Sequence, residues 1–190
     1  MTIKSIAALM LLQLLILSES LAQSKAKTTT CNLAKDIYIN FPKINSDSLK
    51  VFLNKSQPEC NLILIDSIIN KFVSKGDHKS FLMLEKMSDF SDGELSEYLV
   101  EKMRKIYYKN FSVFFQFLYS DYKAKRENSL ERLLVESWST EASVSKNRNL
   151  SVKKIKQNSR EIISQQKIDF KNKVDYLNKL LGKIDPNYLD

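Results

Sequence analysis

The chain has 190 residues and a formal net charge of +8, with only three glycines, three prolines, two cysteines and one histidine. So few turn residues argue against a β-sandwich or barrel, and three isolated glycines cannot form a P-loop or a dinucleotide fingerprint. The length suits one domain with a proper hydrophobic core. We therefore predict an all-α fold, a single domain of six to eight helices arranged as an irregular bundle or a short α-solenoid.

The N-terminus has the pattern of a signal peptide. A lysine precedes an apolar stretch over residues 6–17, and the small residues Ser20 and Ala22 fit the −3 and −1 positions of a signal-peptidase site. A retained membrane anchor would need about 20 apolar residues, so this stretch is too short. We predict that residues 1–22 are cleaved after Ala22, that residues 23–30 form a disordered leader, and that the protein is secreted or periplasmic. We expect no transmembrane segment in the mature chain.

The two cysteines, Cys31 and Cys60, form an even pair, which in an exported protein indicates one disulfide. On the chain-entropy model a loop of about 30 residues stabilises the fold by about 3–4 kcal/mol. The alternative is a pair of unbonded thiols. Neither cysteine has a histidine or another cysteine beside it in the sequence, so we expect no metal and no cofactor.

A helical core domain is expected over residues 31–138, where apolar residues recur at helical spacing. A strand near Leu62–Ile65 is an alternative to helix at that point, because β-branched residues are frequent there. The predicted helices cover residues 32–41, 47–53, 60–75, 78–89, 95–108, 110–122 and 129–138.

Capping residues separate several of these helices. Gly76 offers a left-handed C-cap and Asp77 an N-cap, which together make the tight turn of an antiparallel helix pair. Ser91 and Glu94 have the spacing of a capping box, and Asn110 is a candidate N-cap.

The segment 110–122 is the most apolar part of the chain beyond the N-terminus, since eight of its thirteen residues are Phe, Tyr, Val or Leu. Its polar residues Ser112, Gln116 and Ser120 recur every four residues and form one narrow stripe on a helix. A helix that is apolar over the rest of its circumference must be covered by other elements. We therefore predict a buried central helix. The alternative is an aromatic-lined cavity that carries a small ligand.

Residues Leu84 to Tyr119 resemble one helix pair of a HEAT-type solenoid. Asp92-Gly93-Glu94-Leu95 stands where such repeats often carry Asp-Pro-Glu-Val at the start of their second half. HEAT-type repeats are protein-binding scaffolds, so the resemblance implies a protein partner and no chemistry. A plain helix bundle predicts the same local pattern.

The polar stretch 139–149 is a predicted linker, and residues 150–184 form a predicted long basic amphipathic helix. Between residues 146 and 173 nine basic residues stand against only Glu161 and Asp169. Such a helix is suited to an anionic surface, although a solvated lysine-rich face gives the same pattern. The residues that we predict to contact the anionic partner are Lys153, Lys154, Lys156, Arg160, Lys167, Lys171 and Lys173.

Candidate catalytic groups are few. His78 is the single histidine and starts a predicted helix, and the carboxylates Glu94, Glu97 and Glu101 have the spacing of ordinary helix-surface acids. We therefore expect a non-enzymatic interaction or scaffold protein of a bacterial envelope, with an unknown protein or an anionic envelope surface as its partner. Nucleic acid is disfavoured for an exported protein. The alternatives are a small-ligand carrier and, below it, a carboxylate-based hydrolase.

Overall fold

A computed structural model describes most of the chain after the predicted leader. The described residues are 31, 46–55, 58–91, 93–166 and 169–190. The predicted signal peptide, the leader and the helix over 32–41 lie outside them. None of the described residues lies in a strand, so the predicted all-α class is confirmed.

The described residues form seven helices. No helix among them is long and apolar enough to cross a membrane. They are α1 (Ser46–Lys55), α2 (Pro58–Lys75), α3 (His78–Asp89), α4 (Gly93–Lys123), α5 (Ser129–Ser143), α6 (Arg148–Ser164) and α7 (Phe170–Leu181).

The chain divides into two compact units, Met1–Leu64 and Ile65–Asp190, with the boundary inside α2. In the first unit a disulfide joins Cys31 and Cys60, whose Cα atoms are 5.1 Å apart. The side-chain amide of Asn61 donates a hydrogen bond of 3.1 Å to the carbonyl of Leu53 and so connects the start of α2 to the end of α1. The predicted disulfide is therefore present in the structure.

The central helix of the second unit is α4, which is kinked at Asn110 (φ −150°, ψ 37°). The non-helical backbone of Asn110 separates two helical stretches within α4, which agrees with the two helices predicted on either side of this residue. Beyond the kink Phe111, Phe114 and Phe115 expose 2% or less of their surface. Residues that are this deeply buried confirm the prediction of a buried central helix.

The turn between α2 and α3 has the predicted geometry. Gly76 lies in the left-handed region (φ +61°), and its N–H donates to the carbonyl of Phe72 at 2.7 Å. Asp77 caps α3 by accepting a hydrogen bond of 2.9 Å from the N–H of Ser80. The side chain of Asn110 donates to the same Phe72 carbonyl at 3.2 Å, so the kink residue of α4 also satisfies the end of α2.

The capping box expected at Ser91 is not formed by its hydroxyl, which instead donates to the carbonyl of Ser88 at 3.0 Å. Ser91 therefore serves the end of α3. The following helix begins at Gly93, which has a positive φ of 45°.

The structure differs from the prediction over residues 139–149, which were expected to form a linker. Helix α5 continues to Ser143, because Ser139, Ala142 and Ser143 are buried. Small polar side chains fit into a close contact between helices. The polar composition of this stretch therefore did not indicate exposure to solvent. The next helix starts after Asn147, whose side chain accepts from the N–H of Leu150.

The single long helix predicted over 150–184 is also corrected, because α6 ends at Ser164 and α7 begins at Phe170. A straight helix of that length would extend about 50 Å, beyond the reach of a small helical core. Two shorter helices instead pack back on the unit. The phenol of Tyr107 bonds to the Ile155 carbonyl at 3.2 Å and to the Ser159 hydroxyl at 3.0 Å.

We predict that Gly76→Ala lowers the free energy of unfolding by about 1–3 kcal/mol, because alanine is strained at positive φ and its Cβ would lie 3.1 Å from Val113 Cγ1. Urea unfolding measures the loss. Gly93→Ala is the matched control, since its φ is also positive but no heavy atom lies within 4 Å of the added Cβ. An equal loss in both variants would contradict the role of close packing at Gly76.

We predict that Tyr107→Phe destabilises the protein by about 1–2 kcal/mol, because a buried hydroxyl that connects α4 to α6 is lost. Tyr108→Phe is the control. Its hydroxyl bonds to Glu141 in an exposed setting, so its loss should stay within about 0.5 kcal/mol. Equal urea midpoints for the two variants would show that the Tyr107 hydroxyl does not hold α6 in place.

Candidate anionic-surface interface

Helix α6 separates a buried face from a basic face. Ile155, Ser159 and Ile163, spaced four residues apart, are buried. Asn147 caps the helix at its N-terminus and fixes where the first turn begins. Glu161 is the only acid in the helix, against the basic residues Arg148, Lys153, Lys154, Lys156 and Arg160.

Three of the predicted residues form one row along α6. Lys153, Lys156 and Arg160 are spaced by three and four residues, so neighbouring side chains are about 5–6 Å apart at their Cβ atoms. Together they line a shallow groove of about 500 Å³. We call Lys153, Lys156 and Arg160 the basic row. Lys154 is exposed but does not line this groove.

The basic row is not paired with carboxylates, since the one carboxylate that lines its groove, Glu161, accepts a hydrogen bond of 2.9 Å from the side chain of Gln157. Within the described part of the chain none of its members forms a salt bridge. The guanidinium of Arg160 donates from Nε and Nη2 to Asn178 Oδ1 at 3.2 and 3.0 Å, which positions it beside α7 without cancelling its charge. Lys153 and Arg160 are exposed and Lys156 is half-buried, so cations in one line can attract an anionic surface together.

Arg148 differs from the basic row because it is paired. Its guanidinium forms two hydrogen bonds with the carboxylate of Asp190, and that contact lowers the pKa of Asp190 below its usual value. The pairing connects the start of α6 to the C-terminal residues of the chain. Arg148 is thus engaged within the protein and is not counted in the basic row.

The remaining predicted residues have different surroundings. Lys171 is exposed on α7, and Lys167 lies outside the described residues. The expectation for Lys173 is corrected, because it exposes only 5% of its surface and cannot contact a macromolecular surface. It lies four residues before the buried Leu177, so it occupies the core-facing side of α7. A count of charges along the sequence does not reveal which side each one occupies.

The carrier alternative predicted a void beside Phe114 and Phe117. Phe114 is fully buried, and its ring centroid lies 5.8 Å from that of Phe72 and 5.6 Å from that of Phe81. A pocket of about 340 Å³ does lie beside Phe117, but five of its seven lining residues are polar or charged. Its other lining residues are Gln116, Tyr119, Ser120, Lys123, Asp169 and Lys173.

We call this cavity the Asp169 pocket. The phenol of Tyr119 donates to Asp169 Oδ2 at 2.5 Å, and Lys123 Nζ is 3.4 Å from the same oxygen. These contacts lower the pKa of Asp169, with the Tyr119 hydrogen bond as the largest cause. Sequence reasoning missed this group because Asp169 is fifty residues from Tyr119 and 46 from Lys123 along the chain.

A second groove, of about 650 Å³, lies where the end of α4 meets α5 and α7. Tyr122 is its one aromatic residue, and charged side chains provide most of the remaining lining. Its two arginines are already paired, Arg126 with Asp121 and Arg132 with Glu136. This groove is therefore not the aromatic-lined cavity that the carrier alternative requires.

The candidate carboxylates Glu94, Glu97 and Glu101 are exposed. His78 is exposed too, and its ring centroid lies 4.9 Å from that of Phe117. Among the residues that the structure describes, no group of three His, Cys, Asp or Glu side chains is arranged to hold a metal ion.

Comparison with protein-family models, curated proteins and solved structures gives no match to this chain. The HEAT-type resemblance of residues 84–119 therefore stays a prediction.

We predict that stability falls as the pH rises from about 10 to 12. Burial and the hydrogen bond to Asp169 raise the pKa of Tyr119 to about 12, whereas an unfolded tyrosine releases its proton near pH 10. Above that pH the unfolded state binds fewer protons than the folded state, so the free energy of unfolding decreases. Urea unfolding as a function of pH measures the slope. Tyr119→Phe should make the dependence of the free energy of unfolding on pH shallower. An unchanged slope would contradict the assignment of this effect to Tyr119.

Proposed function

We propose that this protein is an exported, non-enzymatic interaction protein of a bacterial envelope that binds an anionic surface through the basic row. The observation that carries the proposal is a line of three cations, Lys153 and Arg160 exposed and Lys156 half-buried, none of which forms a salt bridge among the described residues. A disulfide between Cys31 and Cys60 is compatible with an extracellular location. The pattern of a signal peptide in residues 1–22 supports the same location.

The rigid position of the row supports binding of an extended surface. The buried face of α6 packs in the second unit, so the backbone that carries the three cations needs little additional ordering when they meet a partner. Phosphate and carboxylate groups at a membrane or polymer surface are the matching chemistry. Nucleic acid is less suited, because Phe170 is the only aromatic residue between 146 and 173 that could stack on a base.

Deletion of residues 146–190 is an unsuitable test of this function. Ile155, Ile163 and Tyr176 are buried, so the deletion would remove part of the hydrophobic core together with the charges. Substitution of the three cations of the basic row avoids that difficulty, because none of them is part of the buried core.

We predict that Lys153→Gln, Lys156→Gln and Arg160→Gln combined weaken binding to phosphatidylglycerol-containing vesicles about 100- to 200-fold at low salt, because each surface cation contributes about 1 kcal/mol. Co-sedimentation of the purified protein with vesicles measures the affinity. Binding of the unsubstituted protein should also weaken as salt screens the charges.

The control carries Lys75→Gln, Lys105→Gln and Lys109→Gln, which remove the same net charge from exposed positions outside the row. It should lose much less affinity. Equal losses in the two triple variants would mean that net charge alone drives binding, and strong binding to neutral phosphatidylcholine vesicles would contradict an anionic partner.

A further inference from the structure

Lys173 is a buried cation whose charge has no carboxylate partner. It exposes 5% of its surface, and its ammonium donates one hydrogen bond, of 3.0 Å, to Gln166 Oε1. The ring of Tyr119 lies below it, with the centroid 5.9 Å from Nζ. No carboxylate of the described residues forms a salt bridge with it. An ammonium has three donors, and burial of a charge without an opposite charge is costly, so this group requires an explanation.

Asp169 lies in the same pocket, but its oxygens are already used. Oδ2 accepts from Tyr119 and Lys123, and Oδ1 accepts from the side chain of Asn172 at 2.6 Å. Its backbone is held in the left-handed region (φ +56°), which is uncommon for a residue other than glycine. Three donors therefore share the one negative charge of the pocket.

The rest of the lining supplies donors to a group placed in the pocket. Lys123 and Lys173 give two positive charges against one carboxylate, so the pocket has an excess of one positive charge. The hydroxyl of Ser120 and the amide of Gln116 add neutral donors. A volume of about 340 Å³ is at the lower end of the usual range for small-molecule sites.

We propose that the Asp169 pocket binds a small oxyanion, a carboxylate or phosphate group, whose charge is matched by Lys173. Lys123 contributes in two ways, by its own charge and by engaging Asp169. The site lies between α4 and α7 and uses none of the basic row. It therefore stands independently of the proposed envelope surface, and either function can fail without the other.

Thermal unfolding of the full chain tests the site, with sodium chloride replaced by the probe anion at constant ionic strength. Inorganic phosphate and acetate represent free anions, and glucose 6-phosphate and galacturonate carry the same groups on a larger molecule. At an anion concentration about ten times the Kd, the Tm should be about 3–6 °C higher than without the anion. Above that concentration the Tm should keep rising with the logarithm of the anion concentration. A larger rise in Tm with the sugar-borne groups would show that the natural ligand carries its anionic group on a larger molecule. A larger rise with phosphate or acetate would show that it is a free anion. No rise with any of the four would overturn the proposal.

Lys173→Met assigns the effect to the pocket. Methionine replaces an unpaired buried charge with an apolar chain of similar length, so the variant should fold, and the anion-dependent rise in Tm should disappear. Lys171→Met is the matched control, because Lys171 is exposed on the same helix, and it should retain the rise. A rise that persists in Lys173→Met would also overturn the proposal.

Lys123→Met provides a second test, which does not depend on how Lys173→Met folds. The side chain of Lys123 is 60% exposed, so its loss should leave the fold intact. It should weaken anion binding about tenfold, because one attraction is lost and Asp169 is freed to neutralise Lys173. An unchanged affinity would contradict the arrangement of charges described above.

Discussion

Burial of the aromatic residues of α4 is the constraint on which the rest of the second unit depends. Phe114 packs against Phe72 and Phe81 of α2 and α3. Phe111 lies 5.9 Å from Trp138 of α5, and Phe115 lies 5.4 Å from Tyr176 of α7, measured between ring centroids. Burial of one such ring contributes about 1.5–3 kcal/mol, so several of them account for a large share of a net stability of about 5–15 kcal/mol. Helices on more than one side of α4 are therefore required for the unit to be stable.

This requirement explains why the basic C-terminal region is not a free arm. Removal of α6 and α7 would expose Tyr107 and Phe115, so these helices form part of the core. The outer side of α6 carries the basic row. The inner side of α7 carries Lys173 next to Tyr119, where its charge cannot reach a macromolecular surface. The lysines of this one basic stretch of sequence therefore have different surroundings, since those of the basic row lie on the surface and Lys173 is buried.

Local signals predicted local structure well. Gly76 and Asp77 form the turn that their conformational preferences indicate, and Asn110, the candidate N-cap, has the non-helical backbone that separates two helical stretches of α4. The capping signal at Ser91 did not act as predicted, because its hydroxyl satisfies a carbonyl of the preceding helix. The polar composition of residues 139–149 was also misleading. A serine at a close helix contact is small enough to be buried, whereas composition treats it as solvent-exposed.

The sequence by itself determined the all-helical class, the disulfide partners, the turn at Gly76 and the burial of the aromatic segment, because each follows from residue type and from spacing within one element. It also identified the cationic region that contains the basic row. Only the tertiary structure decided that α6 and α7 are separate docked helices, and that Lys173 faces inward. The Asp169 pocket likewise depends on a contact between residues fifty positions apart. Such a contact forms because two helices share a core, and no periodicity along the chain encodes which side chains then meet.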